Sequence, residues 1–209
     1  VFYKADVRGK VFIEYIPAEY AWAPIEAKGY MYIDCLWASG QYKGKGYGDS
    51  LMEQCIQDSK DKGKLGLVCI SSKKKMPFLS DPGFMRHKGF KLADTSSPYF
   101  ELLYLPFDSE AGVPWVKACA KDGRIDEMGW VLYYSNQCPH TEKYAPLLAD
   151  IIKGQGMECR LHKIDSREAA QSAPVLFTTY ALFYNGKFVT NEVLSEKSFA
   201  KLWERIRER

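Results

Sequence analysis

The stretch Gln41-Tyr42-Lys43-Gly44-Lys45-Gly46-Tyr47-Gly48 decides how this chain is read. Ahead of it runs Gly29-Tyr30-Met31-Tyr32-Ile33-Asp34-Cys35-Leu36-Trp37-Ala38, apolar and aromatic, the composition of a strand. Behind it, Leu51, Met52, Cys55 and Ile56 recur at helical spacing, with Glu53, Gln54, Asp58 and Lys60 on the opposite side. The order is strand, glycine-rich turn, helix. Alternating glycines remove Cβ atoms where several N–H groups converge, and the helix that follows adds unpaired amides and a positive dipole end. Lys43 and Lys45 place charge at the same spot. Such a turn suits an anion, and a pyrophosphate fits it.

Composition narrows the field. With 209 residues, 46% hydrophobic and 26% charged, the chain is ordinary globular material long enough for two modest domains. A net charge of +3 is too small to argue for nucleic acid, and no basic face is interleaved with aromatics. No apolar run approaches membrane-span length and no signal peptide opens the sequence, so no membrane partner is expected. The six cysteines are scattered, without a Cys-x-x-Cys pair or a zinc-like His spacing; no metal is expected, and buried reduced thiols in a cytoplasm are.

Taken in order, Val1–Val7 and Lys10–Ile16 read as two strands joined at Asp6-Val7-Arg8-Gly9. An aromatic connection with Tyr20 and Trp22 follows, as filling for a flank. The helix after the glycine turn stops near Asp61-Lys62-Gly63, and Leu65–Ile70 is a central strand. Lys73, Lys74 and Lys75 are read as a solvated loop in preference to a phosphate contact. Asp81-Pro82 opens a short helix that Gly89 ends, and Tyr99–Phe107 closes the first sheet. These elements set a first domain at 1–107 and a linker at 108–128. The second domain, 129–209, reads strand (Trp130–Tyr134), helix (Glu142–Ile152), strand (Glu158–Lys163), a short helix at Ser166–Gln171, a hairpin about Asn185-Gly186, and a helix from Ser195 with Phe199, Leu202, Trp203 and Ile206 on one stripe. The fold class is α/β (α+β), a mixed central sheet with flanking helices followed by a smaller domain.

A P-loop needs a hydroxyl where Tyr47 stands, and the dinucleotide fingerprint needs a different glycine spacing. A strand followed by Gln-x-x-Gly-x-Gly and an amphipathic helix instead resembles the acetyl-CoA-binding motif of GNAT acyltransferases, and Arg86-His87-Lys88-Gly89-Phe90 resembles their Gly-Phe turn. The resemblance covers 1–107 and implies an N-acetyltransferase that moves acetyl from acetyl-CoA to an amine on a small molecule or peptide. It implies that pantetheine lies along Leu36, Trp37 and Ala38, and that the backbone from Tyr42 through Lys43, Gly44, Lys45, Gly46 and Tyr47 to Gly48 holds the pyrophosphate, led by Gln41. Asp34 is the first candidate for general base and Glu14 the second. The family's usual acidic tyrosine is missing, Phe84 and Met85 standing in its region, and His87 or Tyr104 is a substitute. Family members also carry one strand and two helices ahead of the hairpin. These are not found here, so an open sheet edge and pairing with a second copy are expected.

The second half resembles the thioredoxin fold in its element order. Cys138-Pro139-His140-Thr141 falls where that fold keeps its active cysteine, and Pro174 at its cis-proline position. Thr141 replaces the second cysteine, which rules out a dithiol cycle within the motif. Cys138 remains either a nucleophile or mixed-disulfide site at a helix N-terminus, or a relic of the fold. A thiol-redox or binding protein acting through Cys138 is therefore the alternative to acyl transfer.

Overall fold

The structure is a computed structural model and describes residues 1–208. Its first sheet contains six strands: β1 (Phe2–Lys4), β2 (Val11–Pro17), β4 (Tyr30–Ala38), β5 (Gly66–Ser72), β6 (Lys91–Ser96) and β7 (Phe100–Pro106), in the order β1-β2-β4-β5-β7-β6. Helix α1 (Tyr47–Asp61) makes the crossover between β4 and β5, which are the parallel pair; the other pairs are antiparallel. Every residue of β5 is buried, Gly66–Ile70 as an apolar run and Ser71 and Ser72 with their hydroxyls donated to the carbonyls of Ser80 and Lys74. The opening strand is shorter than the sequence suggests. Only Phe2–Lys4 pairs, because Ala5 already turns back to bond the carbonyl of Val11.

Alternation along β4 supplies both faces of this sheet. Met31 and Ile33 join Val11, Ile13, Leu67, Cys69 and Leu103 beneath Leu51, Met52 and Cys55 of α1 and Met85 of α2 (Pro82–His87). Tyr30 and Tyr32 point the other way and, with Val68, Ile70, Phe100 and Leu102, form the second face. That face is not covered by helices.

A second sheet covers it. Strands β9 (Trp130–Ser135), β10 (Cys159–Ile164), β11 (Tyr180–Tyr184) and β12 (Lys187–Thr190) lie in the order β10-β9-β11-β12, with β9 and β10 parallel across α3 (Pro139–Gly154). Its inner face brings Val131, Ala181 and Phe183 onto Tyr32, Val68 and Phe100, in one apolar cluster that Val175 and Leu176 complete. Each large side chain sealed there contributes about 1.5–3 kcal/mol. The outer face packs Trp130, Leu132 and Tyr180 under α3 and α5 (Glu196–Arg207). The molecule is thus layered helix, sheet, sheet, helix.

Helix α3 begins three residues before the expected Glu142, since Pro139 suits the first helical turn and Cys138 stands as its N-cap. The segment 108–128 is pinned throughout. Its strand β8 (Trp115–Val116) pairs with β3 (Ile25–Glu26), and the Val116 amide donates to Asp94 at 2.8 Å, while Tyr30 Oη donates to the Gly112 carbonyl at 2.8 Å. Trp22 packs against Ile164, Ala170 and Ala173 of the second half; α4 (Arg167–Gln171) carries Ala170, and Gln171 Nε2 donates to the carbonyls of Glu19 and Ala21 at 3.1 Å each.

Candidate active site

Strands β4 and β5 stay together only from Tyr30–Gly66 to Ile33–Cys69. Beyond that, β4 continues to Ala38 paired on β2 alone, and β5 to Ser72 paired on β7 alone. A wedge opens between two adjacent parallel strands. Where it starts, Tyr15 faces Ile33 and Glu14 faces Cys35, so Asp34 is an extra residue bulged out of β4. A bulge bends its strand and re-aims side chains. Because N–H groups alternate along an extended strand, part of the β4 backbone at Leu36, Trp37 and Ala38 faces the opening without a partner strand.

The glycine-rich turn stands at the mouth of this wedge, where β4 leads into α1. Gly44 (φ 72°) and Gly46 (φ 79°) are left-handed, and a Cβ on either would meet nothing within 4 Å, so the turn is open to solvent. Gly46 is the N-cap of α1 and offers no side chain to its amides. Among the described residues no acceptor takes the amides of Gly44, Lys45, Gly46, Tyr47 or Gly48. This unpaired set is narrower than the expected run from Tyr42 to Gly48. Tyr42 and Lys43 already donate to Ser39 and Gly40 within the 3-10 turn at Gly40–Tyr42, which also carries the exposed Gln41. The Tyr42 ring lies so close to Gly9 that a Cβ there would overlap it at 2.1 Å, and it meets Tyr47 edge-on at 5.7 Å. Tyr42 props the turn from below. Gly48 is tight for a different reason, since its Cβ would touch the Phe84 ring at 3.4 Å. Asp49, a carboxylate in the first turn of α1, pairs with Lys88 at the end of α2, which holds its carboxyl below the usual range and removes its repulsion for an anion.

At the root of the wedge three carboxylate and thiol groups converge. Asp34 is pushed up to about 6, chiefly by burial and then by the charge of Glu14, against which a hydrogen bond from Gln137 works. Gln137 Nε2 donates to Asp34 Oδ1 at 3.2 Å across a sequence separation of 103 residues. Cys35, opposite Glu14, is pushed up to about 12 by burial first, then by Asp34, Glu14 and Cys138. It is a protonated thiol at neutral pH.

Asp34 and Glu14 therefore come together, as neighbouring candidates. His87 and Tyr104 do not join them. His87 is exposed at the end of α2, on the face that α1 occupies and close enough to Asp49 to help lower it. Tyr104 pairs with Val68, back from the wedge, and meets the Tyr30 ring edge-on at 6.4 Å. Lys75 bonds Asp81 at 2.6 Å, an ordinary loop contact. Cys138 caps α3 without a side-chain bond, and the His140 ring stacks near Tyr144 at 6.2 Å. The bond before Pro174 is trans, contrary to its reading as a cis-proline; among the described residues the cis bond is Ser97–Pro98. Pro174 lies in bends six residues ahead of β11, and Thr178-Thr179 occupy the place just before that strand.

Comparison with known proteins places this geometry. The model of the acetyltransferase (GNAT) family matches residues 2–76, the stretch that holds the bulge, the wedge and the glycine turn. The "Uncharacterized N-acetyltransferase YoaP" of Bacillus subtilis (strain 168) is 42% identical over 202 residues, spanning 97% of this chain and 80% of that protein. The chain belongs to the GNAT acetyltransferase family. It is an acyltransferase with a mixed α/β fold. Residues 159–201 match a further model described as YoaP-like, which covers β10 to α5. No solved structure matches the chain.

Gln137, Cys35 and Thr178 escaped the sequence reading. Gln137 borders the cysteine motif, yet nothing local says that it reaches a strand in the other sheet. Alternation alone sends Asp34 to the face of Tyr30 and Tyr32, but it sends Cys35 to the opposite one; only the bulge puts both on one side.

Proposed function

We propose that this GNAT enzyme takes acetyl from acetyl-CoA and delivers it directly to an amine carried by a small molecule or peptide. The observation that carries the reading is the wedge with unpaired β4 backbone leading straight into a turn of free amides. The pyrophosphate sits on the amides from Gly44 to Gly48, with Lys43 and Lys45 adding charge. Pantetheine runs beside Leu36, Trp37 and Ala38, and a backbone N–H near the bulge polarises the thioester carbonyl.

Asp34 takes the proton of the incoming ammonium, directly or through one water, and Glu14 keeps the approach attractive to a cation. The free amine attacks the carbonyl carbon, and the tetrahedral oxyanion is held by β4. Collapse breaks the C–S bond and frees the coenzyme thiolate, which takes up, through solvent, the second proton that the attacking nitrogen sheds. Placing a carboxyl that titrates near 6 at this position keeps it ionised at neutral pH while leaving it a serviceable base. We also read the second half as thioredoxin-like in outline and structural in role, and the molecule as an enzyme of a reducing cytoplasm, since its cysteines are free thiols.

Calorimetric titration with coenzyme A tests the reading, followed by acetyl-CoA consumption over a panel of primary amines between pH 4.5 and 9. Saturable binding is expected, with kcat/KM rising through about pH 6 and levelling above it, and an Asp34→Asn variant at least about 100-fold slower. No heat of binding from coenzyme A would remove the assignment. The same carboxyl gives a stability test. Its folded pKa lies above the ordinary 3.8, so its ionisation weakens the fold as pH rises from about 4 to about 6. Asp34→Asn is therefore expected to gain roughly 1–3 kcal/mol in urea unfolding at pH 7 and nothing below pH 4.

A further inference from the structure

The carboxyl of Asp34 is held by a residue the acetyltransferase match does not include. Gln137 lies in the turn between β9 and α3, outside residues 2–76 and at the edge of the other sheet. Its amide is not free to rotate. Ser135 Oγ donates to Gln137 Oε1 at 2.8 Å, and Thr178 Oγ1, 3.0 Å from the same atom, has one proton to share between it and the Trp22 carbonyl. Ser135 is fully buried and Thr178 is 2% exposed. A carboxylate can only accept hydrogen bonds, so the NH2 end of the amide must face Asp34 and the oxygen end the hydroxyls.

We infer that Gln137 is a positioning residue for Asp34, so that the second sheet completes the acyl-transfer site as well as covering the first. The inference rests on the proposed role of Asp34 as base. A bulge residue has fewer ladder contacts to fix it than its neighbours, and Asp34 makes no ion pair among the described residues. The titratable groups around it are Glu14 on β2, Tyr32 and Cys35 on β4, and Cys138 at the head of α3, next to Gln137. None is a cation. Glu14 repels the ionised form, and the thiol of Cys35 stays protonated, so the Gln137 amide is the group that favours ionised Asp34.

Ser135 orients Gln137 and Gln137 orients Asp34, while the Thr178 hydroxyl sits between Gln137 Oε1 and the Trp22 carbonyl. Trp22 belongs to the connection between β2 and β3, so this chain of contacts starts and ends in the first half and passes through the second. The placement of one sheet on the other is thereby written into the aim and acidity of the base.

The test measures the Asp34 carboxyl itself, so it needs no acceptor. The carboxyl carbons of 13C-labelled aspartate are followed by NMR from pH 4 to pH 9 in the full chain, with Asp34→Asn assigning the resonance. Two variants are compared with the unaltered chain: Gln137→Met, which keeps the length and loses the donor, and Gln137→Glu, which keeps an acceptor for Ser135 and Thr178 but faces Asp34 with a charge. The midpoint is expected to rise by about one pH unit in Gln137→Met, the worth of one hydrogen bond to an ion, and further in Gln137→Glu. The acidic limb of acetyl-CoA consumption is expected to move with it. An unchanged Asp34 midpoint in both variants overturns the inference and leaves the proposed reaction standing. Full acetyl-CoA turnover in Asp34→Asn instead overturns the base assignment, whatever the midpoint does. Should Gln137→Met fold poorly, Gln137→Glu alone decides, because its side chain has the same shape.

Discussion

Two helices in this molecule begin in the same way and end up with opposite uses. Both α1 and α3 follow a central parallel strand through a short turn, the arrangement that by default leaves N-terminal amides unpaired. At α1 the turn is glycine in the left-handed region, nothing crowds it, and lysines stand on either side. At α3 the turn is shut. Pro139 has no amide proton, the Thr141 amide donates to the Cys138 carbonyl at 3.0 Å, and the Thr141 hydroxyl, on a residue 1% exposed, lies 2.7 Å from the carbonyls of Ser135 and Cys138. One helix end keeps its amides free, and the other is sewn back onto its own strand. On the proposed reading, a strand–turn–helix unit is a site only where its backbone donors are left unspent.

Substitutions can break that contrast. Gly46→Val is expected to have the largest effect: a β-branched residue resists φ 79°, and its methyls enter the space above the free amides. Coenzyme A affinity should fall about 100-fold or more by calorimetry. Thr141→Val tests the other helix. It removes a buried hydroxyl from two carbonyls and should cost roughly 1–3 kcal/mol in urea unfolding, with coenzyme A affinity unchanged. Equal loss of affinity in both variants would erase the distinction between the two helix ends. The smallest effect belongs to Lys45→Ala. An exposed lysine beside a phosphate should contribute about threefold in Kd at low salt and less at 0.5 M salt.

What could be read from the chain beforehand depended on how local the cause was. Gly44, Gly46, the apolar run Leu65–Ile70 and the Asn185-Gly186 hairpin carry their geometry in neighbouring residues, and each lies where its chemistry puts it. The bulge at Asp34 follows from pairing with β2, and no residue in β4 announces it. Tyr30, Tyr32, Val68 and Phe100 read simply as strand residues, yet they form a face that Val131 and Phe183 close from the other sheet. His87 and Tyr104 answer to chemistry near a motif, but α2 carries His87 to the exposed α1 side and the β5–β7 register sets Tyr104 opposite Val68. Pro174 was placed by analogy of order, and the extra turn before β11 displaced it.

The apolar filling shared by the two sheets also sets what it costs to part them. Swinging the halves apart to admit an acceptor would wet Tyr32, Phe100, Val131 and Phe183 together, side chains 5% exposed or less. At about 1.5–3 kcal/mol apiece that motion costs about 6–12 kcal/mol. On the proposed reaction, substrates therefore travel edgewise, along the plane of the parted strands.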